Sequence, residues 1–431
     1  MSNLMDGTLA SVLAFLLALG VVVSVHEYGH YIVGRWCGIH AEVFSLGFGP
    51  VLLARYDKRG TKWQISMFPL GGYVKFVSEA ADGHLPKDFK TQETINGASL
   101  WKRTLTVLAG PVFNFLFSII VFSSLFLYSG TVSQDTVIGN VKTIPGPIKL
   151  FRQGDQILRI EGIPVDNLAH FIRVSSGLSE KKLISYEIRR NENVLSFKSV
   201  FPFPPLINRL HPQSAALESG LKAGDLIVEV SSKPVYSLSE VQRLVNASKG
   251  NKIKLKIWRD GTIYDVFVKP KQYDLPGSSG YVSKWLIGFS GGLFFEPVNI
   301  KLSLRAAIYL GAMQTKDVVI SSIMGLKSIV VGSISSCNLQ GPIGIAQVAG
   351  DISRQGLTDF IWFVALLSTS IGLLNLFPIP ILDGGHLLFF FYEAVTGRPI
   401  SGGVTKALMV LGMVLLGGLM IFSLFNDLLC T

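Results

Sequence analysis

With 431 residues, 49% of them hydrophobic and 16% charged, the chain is too apolar for an ordinary soluble protein, in which about 25% of residues are charged. Its three cysteines, Cys37, Cys337 and Cys430, are too few and too far apart for a disulfide framework or a Cys-based zinc site, and disordered or collagen-like classes are also excluded. The net charge of +10 comes from Lys and Arg scattered among apolar runs, which favours a membrane protein with basic flanks over a nucleic-acid-binding protein.

Four segments are long and apolar enough to cross about 30 Å of hydrocarbon as helices. They comprise residues 9–33, 104–130, 360–382 and 407–425, and the first is uncharged over 9–25. A fifth candidate, residues 318–339, is interrupted by Lys327, so we expect it to lie on the membrane surface or to pack under other elements. The first segment lacks the basic start and the small-residue cleavage site of a signal peptide.

Lys and Arg near the segment ends predict the orientation, because cytoplasmic loops carry the excess of these residues. Residues 1–8 and the tail after residue 425 contain none, whereas the 34–103 region contains ten. We therefore expect the 34–103 region on the cytoplasmic side, and both termini and the long 131–359 region outside. The short loop before the fourth segment then returns to the cytoplasm.

The first segment carries a metal-binding pattern, His26-Glu27-Tyr28-Gly29-His30, which has the form HExxH. Positions i and i+4 share one helix face, so both imidazoles can reach one zinc ion while Glu27 flanks its water. A buried His on an apolar face is usually a hydrogen-bonded core residue. Two His and a Glu at the inner half of a membrane helix are costly, however, and predict a functional role.

The loop after the first segment has the pattern of a β-hairpin. Gly47-Phe48-Gly49-Pro50 precedes an apolar stretch, a polar turn at 57–60, and alternating apolar residues at Trp63, Ile65 and Met67. Leu70-Gly71-Gly72-Tyr73-Val74 is predicted to be a further strand, whose two glycines permit close backbone approach. A plain solvated hairpin is the alternative.

The region between the second and third segments repeats with a period of 70 residues. Gly154-Asp155 matches Gly224-Asp225, and the register then holds through matched hydrophobic residues to the turns at Arg189 and Arg259. Each copy has the pattern of a short strand, a helix and two alternating strands. Two copies are fewer than a solenoid needs, so we expect two small domains side by side.

The second copy contains SAALESGLKAGDLIVEV from Ser214 and resembles the PDZ domains of bacterial envelope proteases. The first copy keeps the Gly-Asp strand, but Pro145-Gly146-Pro147 replaces the helical stretch, which puts its peptide groove in doubt. PDZ domains bind extended peptides by adding a strand to an exposed sheet edge. The alternative is that both copies merely cover the membrane domain.

A third metal ligand is expected on another span, because hydrolytic zinc sites combine three protein ligands with one open position. Asp383 is the one carboxylate placed suitably, at the end of the third segment in NLFPIPILDGG. Pro378 and Pro380 interrupt the helix there, which is tolerable where the freed backbone lines a cavity or meets a peptide. Alone, Asp383 would be better explained as a helix N-cap. His386 is a candidate to support the ligands and stays unassigned.

These motifs resemble the site-2 protease family of intramembrane zinc metalloproteases. The resemblance rests on HEYGH in the first segment, Ala109-Gly110-Pro111 with Asn114 in the second, and NLFPIPILDGG in the third, and it covers nearly the whole chain. It implies one Zn²⁺ per chain, with His26, His30 and Asp383 as ligands and Glu27 as general base. It further implies substrate handling by the residues Asn375, Pro378 and Pro380.

The family also implies a membrane-dipping β-sheet in the first cytoplasmic loop, which holds the substrate as an added strand. The residues expected to bind substrate there are Gly47, Gly49, Gly71, Gly72 and Tyr73. Substrates of such enzymes are membrane-spanning proteins, among them an anti-sigma factor already trimmed outside in envelope stress signalling, and remnant signal peptides. Peptide segments at the PDZ domains and membrane lipid are further expected partners, and nucleic acid is not.

We therefore expect a polytopic α-helical membrane protein of the bacterial inner membrane, with four transmembrane helices, a membrane-associated β-hairpin or sheet, and two extracytoplasmic PDZ (α+β) domains. The active site is expected near the cytoplasmic face. The expected parts are 1–35 (first span, HExxH), 36–100 (cytoplasmic loop), 101–130 (second span), 131–205 and 206–280 (PDZ-like and PDZ domains), 281–356 (amphipathic membrane-surface helices), 357–389 (third span, LDG) and 390–431 (cytoplasmic loop, fourth span).

Two other classes of protein fit part of the pattern. A metal transporter would also carry intramembrane His and carboxylate, but it should show further ligands along a path, and the second and fourth segments have none. A membrane-anchored PDZ scaffold would need the repeat but not the buried HExxH. Zinc content, together with loss of proteolysis on changing Glu27, would separate the three.

Overall fold

The computed structural model describes residues 2–78, 90–277, 280–335, 337 and 339–429. The chain divides into two compact units. A helical unit comprises Met1–Phe126 and Ser303–Thr431, and a strand-rich unit comprises Leu127–Leu302. The predicted metal ligands all belong to the helical unit.

The helices lie mostly in the helical unit, and four of those described are long and apolar enough to cross a membrane, as the sequence predicts: Thr8–Trp36, Leu100–Ser129, Leu357–Asn375 and Gly402–Leu429. In chain order the helices are α1 (Ser2–Trp36), α2 (Leu100–Ser129), α3 (Leu168–Ser176), α4 (Ala215–Glu218), α5 (Leu238–Ala247), α6 (Leu304–Val330), α7 (Pro342–Gln355), α8 (Leu357–Asn375), α9 (Asp383–Thr396) and α10 (Gly402–Leu429).

The strands are short except for two long ones that follow α1. In chain order they are β1 (Ala41–Tyr56), β2 (Lys62–Phe76), β3 (Thr131–Val132), β4 (Ile138–Val141), β5 (Gln156–Ile160), β6 (Ile163–Pro164), β7 (Ile184–Arg190), β8 (Asn193–Ser199), β9 (Arg209–Leu210), β10 (Leu226–Val230), β11 (Lys233–Pro234), β12 (Ile253–Arg259), β13 (Thr262–Val268), β14 (Lys271–Gly277), β15 (Gly280–Leu286), β16 (Phe289–Ser290), β17 (Phe295–Pro297) and β18 (Asn299–Ile300).

Small residues let α1 and α2 approach closely. A Cβ added at Gly29 would lie 2.6 Å from the Ala109 carbonyl oxygen and 2.9 Å from Phe113. Helices in a bilayer associate through such close packing, because lipid offers no hydrophobic drive between them. On its other side α1 packs against α7 and α8 through a buried cluster that includes Ala18, Val22 and Ala349.

The end of α10 is attached to the start of α7 by a carboxylate. Asp427 accepts backbone N–H bonds from Gly341, Ile343 and Gly344 at 2.8, 3.1 and 3.0 Å. These groups have no partner within the first turn of α7, so an acidic side chain stabilises them and complements the helix dipole. This contact joins the fourth span to the packing around α1.

The two long strands fold into a sheet of four segments. The first half of β1 lies between two stretches of β2, since Phe44 pairs with both Val74 and Trp63. The second half of β1 pairs with the start of β2, as Tyr56 does with Lys62. The segments 72–76, 41–46, 62–66 and 51–56 are therefore adjacent in that order. The predicted separate strand at 70–74 is the second half of β2, because the chain bends without leaving the sheet.

This sheet runs alongside the inner part of α1. At one end, the turn residue Asp57 accepts a hydrogen bond from the Tyr31 hydroxyl at 2.9 Å and pairs with Arg35 at 3.7 Å. At the other end, a Cβ on Gly72 would lie 3.1 Å from Val23. Arg35 and Val23 are separated by about 18 Å of helix, so the sheet extends well away from the end of the span.

The strand-rich unit contains the repeat as two four-stranded sheets of the same topology. Their strand orders are β6-β5-β7-β8 and β11-β10-β12-β13. Each copy has its own buried cluster, with Ile157 and Phe171 in the first and Ile227 and Val241 in the second. The hairpin of β14 and β15 follows the second copy, and short strands pair across the unit.

A buried ion pair recurs at the same place in both copies. Asp155 pairs with Arg190 at 2.8 Å and Asp225 with Arg259 at 2.6 Å, and each carboxylate is almost fully buried. Hydrogen bonding to the carboxylate raises the pKa of each guanidinium. The predicted match of Arg189 with Arg259 was therefore off by one residue. The loop before β12 is shorter than the loop before β7, which shifts the period from 70 to 69.

Three predicted boundaries differ from the structure. The third span ends at Asn375 rather than 382, because α8 stops before Pro378 and α9 is a separate helix. Residues 281–300, predicted to be helical, form strands β15 to β18. The interrupted helix predicted at 318–339 is α6, which begins at Leu304. In addition, Cys337 is disulfide-bonded, which was not predicted, whereas Cys37 is buried and free.

Candidate metal centre and active site

The HExxH sequence lies within the unbroken helix α1, so its two histidines are one turn apart on one face. Both residues are buried, at 8% and 7% exposure for His26 and His30. Their rings meet edge to face with centroids 4.8 Å apart, and the two Nε2 atoms are 3.2 Å apart. Two nitrogens from separate turns therefore point to the same place.

Asp383 brings a carboxylate to the same point. It is the first residue of α9, and its Oδ2 lies 3.1 Å from His26 Nε2 and 3.4 Å from His30 Nε2. That oxygen is buried, and apart from these two nitrogens it has no hydrogen-bond partner among the described residues. Asp383 comes this close because the helix is interrupted around Pro378 and Pro380. Helix α8 ends before these prolines, and α9 starts after them as a separate helix beside the histidines of α1.

The three atoms form a triangle of the size that zinc requires. Tetrahedral ligands at 2.0 to 2.1 Å from zinc are separated from one another by about 3.3 Å. The observed separations are 3.1, 3.2 and 3.4 Å. Two imidazoles and a carboxylate are also the donor set of many hydrolytic zinc sites. The residues present therefore fit a zinc ion.

Helix α2 orients both imidazole rings from behind. His30 Nδ1 is 2.8 Å from the Thr106 carbonyl oxygen, and His26 Nδ1 is 3.3 Å from the Asn114 side-chain amide. A carbonyl acceptor holds the proton on Nδ1 and leaves Nε2 free to bind metal. Asn114 Oδ1 is buried and has no hydrogen-bond partner within the described part of the chain, so rotating the amide by 180° would supply the same kind of acceptor to His26.

Gly110 gives the rings their space on α2. A Cβ at this position would lie 2.3 Å from His30 Nε2 and 2.8 Å from His26 Cε1. Any larger residue would enter the volume that the two imidazoles occupy. The spacing of Thr106, Gly110 and Asn114 places all three on the face of α2 that meets α1.

Glu27 lies where the metal cluster meets the β-sheet. The Val74 backbone N–H lies near its carboxylate, and a Cβ on Gly72 would be 3.2 Å from Glu27 Cγ. The carboxylate thus faces the 72–76 segment of β2, which forms one edge of the sheet. A base beside a three-ligand site and an extended backbone is the arrangement that peptide hydrolysis needs.

Comparison with known proteins identifies the family of the chain. The model of Peptidase family M50 matches residues 14–419, which is nearly the whole chain. The chain belongs to peptidase family M50. Two relatives carry zinc metalloprotease in their names: one from Vibrio cholerae, 33% identical over 98% of this chain and 99% of its own length, and one from Agrobacterium fabrum, 32% identical over 96% and 95%.

A third M50 relative is the Regulator of sigma-E protease RseP of Escherichia coli. It is 30% identical to this chain, and the match covers 96% of this chain and 97% of the relative. The chain is therefore a zinc metalloprotease with four described helices that are long and apolar enough to span a membrane. The resemblance to this protease class, predicted from the motifs, is confirmed.

The other predicted site residues of this M50 protease lie in two places. Gly72 is beside Glu27, and Tyr73 stacks on Phe48 with ring centroids 6.0 Å apart. Gly47 and Gly49 adopt positive φ, at 91° and 85°, and pack on Phe68 at the bend of the sheet. A Cβ at Gly71 would meet the Phe48 ring, so these glycines permit the bend.

The second group surrounds the break before Asp383. Asn375 is the last residue of α8, and Pro378 and Pro380 lie in the turn that follows. A Cβ at Gly385 would lie 2.5 Å from Pro380 Cα, so the broken segment packs directly on the first turn of α9. His386 packs edge-on against Phe389, at 5.9 Å.

Two groups that orient the histidines were not among the predicted site residues. Asn114 was noted only as part of the family pattern, although a buried amide in the middle of a membrane helix is itself a functional signal. The Thr106 group is a main-chain carbonyl, and its contribution depends on how α2 packs rather than on the residue type. No side-chain pattern could have revealed it.

Proposed function

We propose that the chain is an intramembrane protease, which hydrolyses peptide bonds within the membrane-spanning segments of single-pass proteins. The observation that carries the proposal is the position of the Glu27 carboxylate, between a zinc-sized triangle of ligand atoms and the edge of a β-sheet beside a membrane helix. Soluble metalloproteases need no site at this depth in an apolar helix.

His26, His30 and Asp383 would hold one zinc ion per chain. The separations of their ligand atoms, and the burial of the Asp383 oxygen with only these two nitrogens near it among the described residues, support this assignment. When bound, zinc supplies a Lewis acid that polarises a scissile carbonyl and lowers the pKa of water from near 16 toward about 7. Thr106 and Asn114 keep the two imidazoles in the tautomer and orientation that this requires.

Glu27 serves as the general base. It takes the proton of the attacking water and returns it to the leaving nitrogen, as a carboxylate at this place in an HExxH helix can. The nearby Val74 N–H would orient the carboxylate toward the sheet edge. The base and the extended backbone of the enzyme are then side by side.

The 72–76 segment would hold the substrate as an added strand. Val77 N–H bonds to the His40 carbonyl on the β1 side, at 2.9 Å. Because successive residues of a strand alternate in direction, the backbone groups of Gly72 and Val74 face away from β1, toward Glu27. An unwound substrate could bond to this edge, with Tyr73 and the glycines at 47, 49 and 71 shaping the groove.

The broken segment after α8 would line the same groove. Asn375, Pro378 and Pro380 precede Asp383, and proline leaves carbonyl groups without an intrahelical donor. Such groups persist at membrane depth only where they meet protein, water or a bound peptide. An extended substrate would supply donors to them. This is the second reason to expect that the substrate loses its helical structure before cleavage.

The surroundings of the sheet support a membrane-associated position. Phe48, Leu52 and Phe68 are 46%, 61% and 51% exposed at the bend of the sheet, away from the Asp57 turn. Exposed aromatic and aliphatic groups at this distance from the end of α1 suit contact with lipid. We place the active site toward the cytoplasmic face of the bacterial inner membrane, and both termini and the strand-rich unit in the periplasm, as the Lys and Arg distribution indicates.

The two repeated sheets would be PDZ domains that select substrates outside the membrane. Their common strand order and the Gly-Asp strand support this assignment. The second copy has a helix, α4, before this strand, and the first has a 3₁₀ turn at Pro147–Leu150. A trimmed anti-sigma factor in envelope stress signalling is the leading substrate, since the Escherichia coli relative is named a regulator of sigma-E. Remnant signal peptides are the second.

Cleavage of reconstituted substrates tests the proposal. Purified full-length protein in liposomes should cut a single-pass peptide within its apolar span, as mapped by mass spectrometry. A matched peptide with a proline near the cut site should be cut faster, because less helix must be unwound. Cutting confined to the soluble flanks of both peptides would contradict the proposal.

Backbone N-methylation of the same peptide tests binding at the sheet edge. Each methyl group removes one N–H donor and leaves the side chain unchanged. If the substrate adds as a strand, methylation at every second position near the cut site should slow cleavage strongly, and at the positions between them weakly. Equal effects at all positions, measured as initial rates, would argue against strand addition.

A further inference from the structure

An ion pair far from the histidines links the helix of Asp383 to α2. Arg103 Nη2 lies 2.6 Å from Glu393 Oε1, and Nη1 lies 3.2 Å from Oε2. The two side chains are only 17% and 19% exposed, and the Arg103 Cζ atom is 5.3 Å from the centroid of the Phe390 ring. The pair is therefore bidentate, largely buried and stacked on an aromatic side chain.

A buried bidentate ion pair fixes the relative orientation of its two side chains, which an exposed ion pair does not. The planar guanidinium matches a carboxylate in one relative orientation, which restrains both helices. Removing one partner leaves a buried charge uncompensated, so either single loss is costly. Arg103 Nε is buried without a partner among the described residues, which makes the Glu393 carboxylate more important for this guanidinium.

Each of the two helices contributes to the metal cluster and, at a different height, to the ion pair. On α2, Arg103 is one turn before Thr106, whose carbonyl holds His30. On α9, Glu393 is ten residues after Asp383, which corresponds to about 15 Å of helix. At the cluster, Asp383 of α9 meets the two histidines of α1, and α2 hydrogen-bonds to the same histidines. The ion pair adds a direct contact between α9 and α2, which sets the axial position of one helix on the other.

The start of α9 packs tightly on the segment that precedes it, but this packing does not fix the position of α9 on α2. The residues before it are broken by two prolines. Its buried residues are Gly384 and Gly385, which pack on this same broken segment. Neither contact holds α9 against α2. A carboxylate that completes a zinc site must nevertheless stay within a few tenths of an ångström of its place.

We propose that Arg103 and Glu393 are positioning residues, which fix α9 on α2 and thereby hold the Asp383 carboxylate at the two histidine nitrogens. The inference rests on the proposed function, since it takes Asp383 as a metal ligand. It goes beyond it by assigning metal retention to a pair of side chains that do not touch the cluster.

Zinc affinity of single and charge-exchanged variants tests the pair. Full-length Glu393→Gln and Arg103→Gln proteins should bind zinc about 10- to 100-fold more weakly than the wild type, the usual effect of losing a group that orients a ligand. Arg103→Lys, which keeps the charge but not the fork, should lie between. The double variant Arg103→Glu, Glu393→Arg should recover most of the affinity. Competition with a chelator in detergent measures all four.

The position of α9 gives a readout that needs neither metal nor activity. Spin labels at the exposed positions Leu105 and Val395 report the distance between α2 and α9. In the metal-free wild type we expect one narrow distance distribution, and in Glu393→Gln a broader or shifted one. Lys102→Gln is the matched control, because Lys102 is adjacent in α2 but packs on Trp101. It should change neither the zinc affinity nor the distance.

The results distinguish this inference from the proposed function. If folded Glu393→Gln keeps wild-type zinc affinity and a narrow distance, or if the charge-exchanged variant is no better than the sum of the single variants, the positioning role is refuted. If the wild type binds zinc but cuts no membrane-spanning peptide, the proposed function fails while the positioning role stands. Unchanged zinc affinity in Asp383→Ala would refute the positioning role, because the third ligand would then lie elsewhere, and would leave the cleavage of membrane-spanning peptides to its own test.

Discussion

Glu27→Gln is expected to retain zinc and to lower the cleavage rate by about 100- to 10,000-fold, the usual contribution of a general base. The amide keeps the shape of the side chain but cannot accept a proton. Glu27 is not among the three atoms of the metal triangle, so the zinc content should stay at the wild-type level. Metal analysis and initial rates on one reconstituted substrate measure the two effects together.

Glu42→Gln is the matched control for this variant. Glu42 lies on β1 and pairs with Lys75 at 2.6 Å, near the same sheet but apart from the cluster. Its loss should leave zinc unchanged and reduce the rate little, since ion pairs with exposed partners contribute about 0 to 1 kcal/mol. Wild-type turnover in Glu27→Gln would rule out the assigned base. Loss of zinc in that variant would instead mean that Glu27 supports the metal.

The sequence predicts well those parts of the candidate site that depend only on the spacing of residues along one helix. The two histidines share a face because any helix places positions i and i+4 together, and α1 is an uninterrupted helix. Asp383 follows by elimination, because few carboxylates occur at the ends of the spans. The four spans follow from length and apolarity alone.

The parts that depend on tertiary packing could not be predicted in the same way. Arg103 and Glu393 are 290 residues apart, and nothing local marks them as partners. The four adjacent segments of β1 and β2 depend on a bend at Gly47 and Gly49. Positive φ angles at these two residues let the first half of β1 pair with β2 on both sides. The hairpin pattern correctly predicts strands. The glycines at the bend, however, are residues typical of turns, so the sequence predicts that a strand ends there although the chain continues in the same sheet.

Asp383→Ala is expected to have the second large effect, the loss of zinc from a protein that remains folded. The two imidazoles alone leave an incomplete site, and a hydrolytic zinc ion is held by three protein ligands. Asp383→Asn should retain some zinc with weaker binding, because the amide oxygen is still a donor but carries no charge. Cleavage should fall with the zinc content in both variants.

The control for Asp383→Ala removes a carboxylate of the helical unit that does not contact the metal cluster. Asp351 on α7 serves, since it pairs with Arg354 one turn further along the same helix, at 2.8 Å. Asp351→Ala should keep its zinc. Thermal unfolding of the metal-free proteins shows whether a variant has lost zinc because a ligand is missing or because the fold is unstable. Removing a ligand should change the melting temperature of the metal-free protein little and the zinc affinity strongly. Full zinc occupancy in Asp383→Ala would place the third ligand elsewhere.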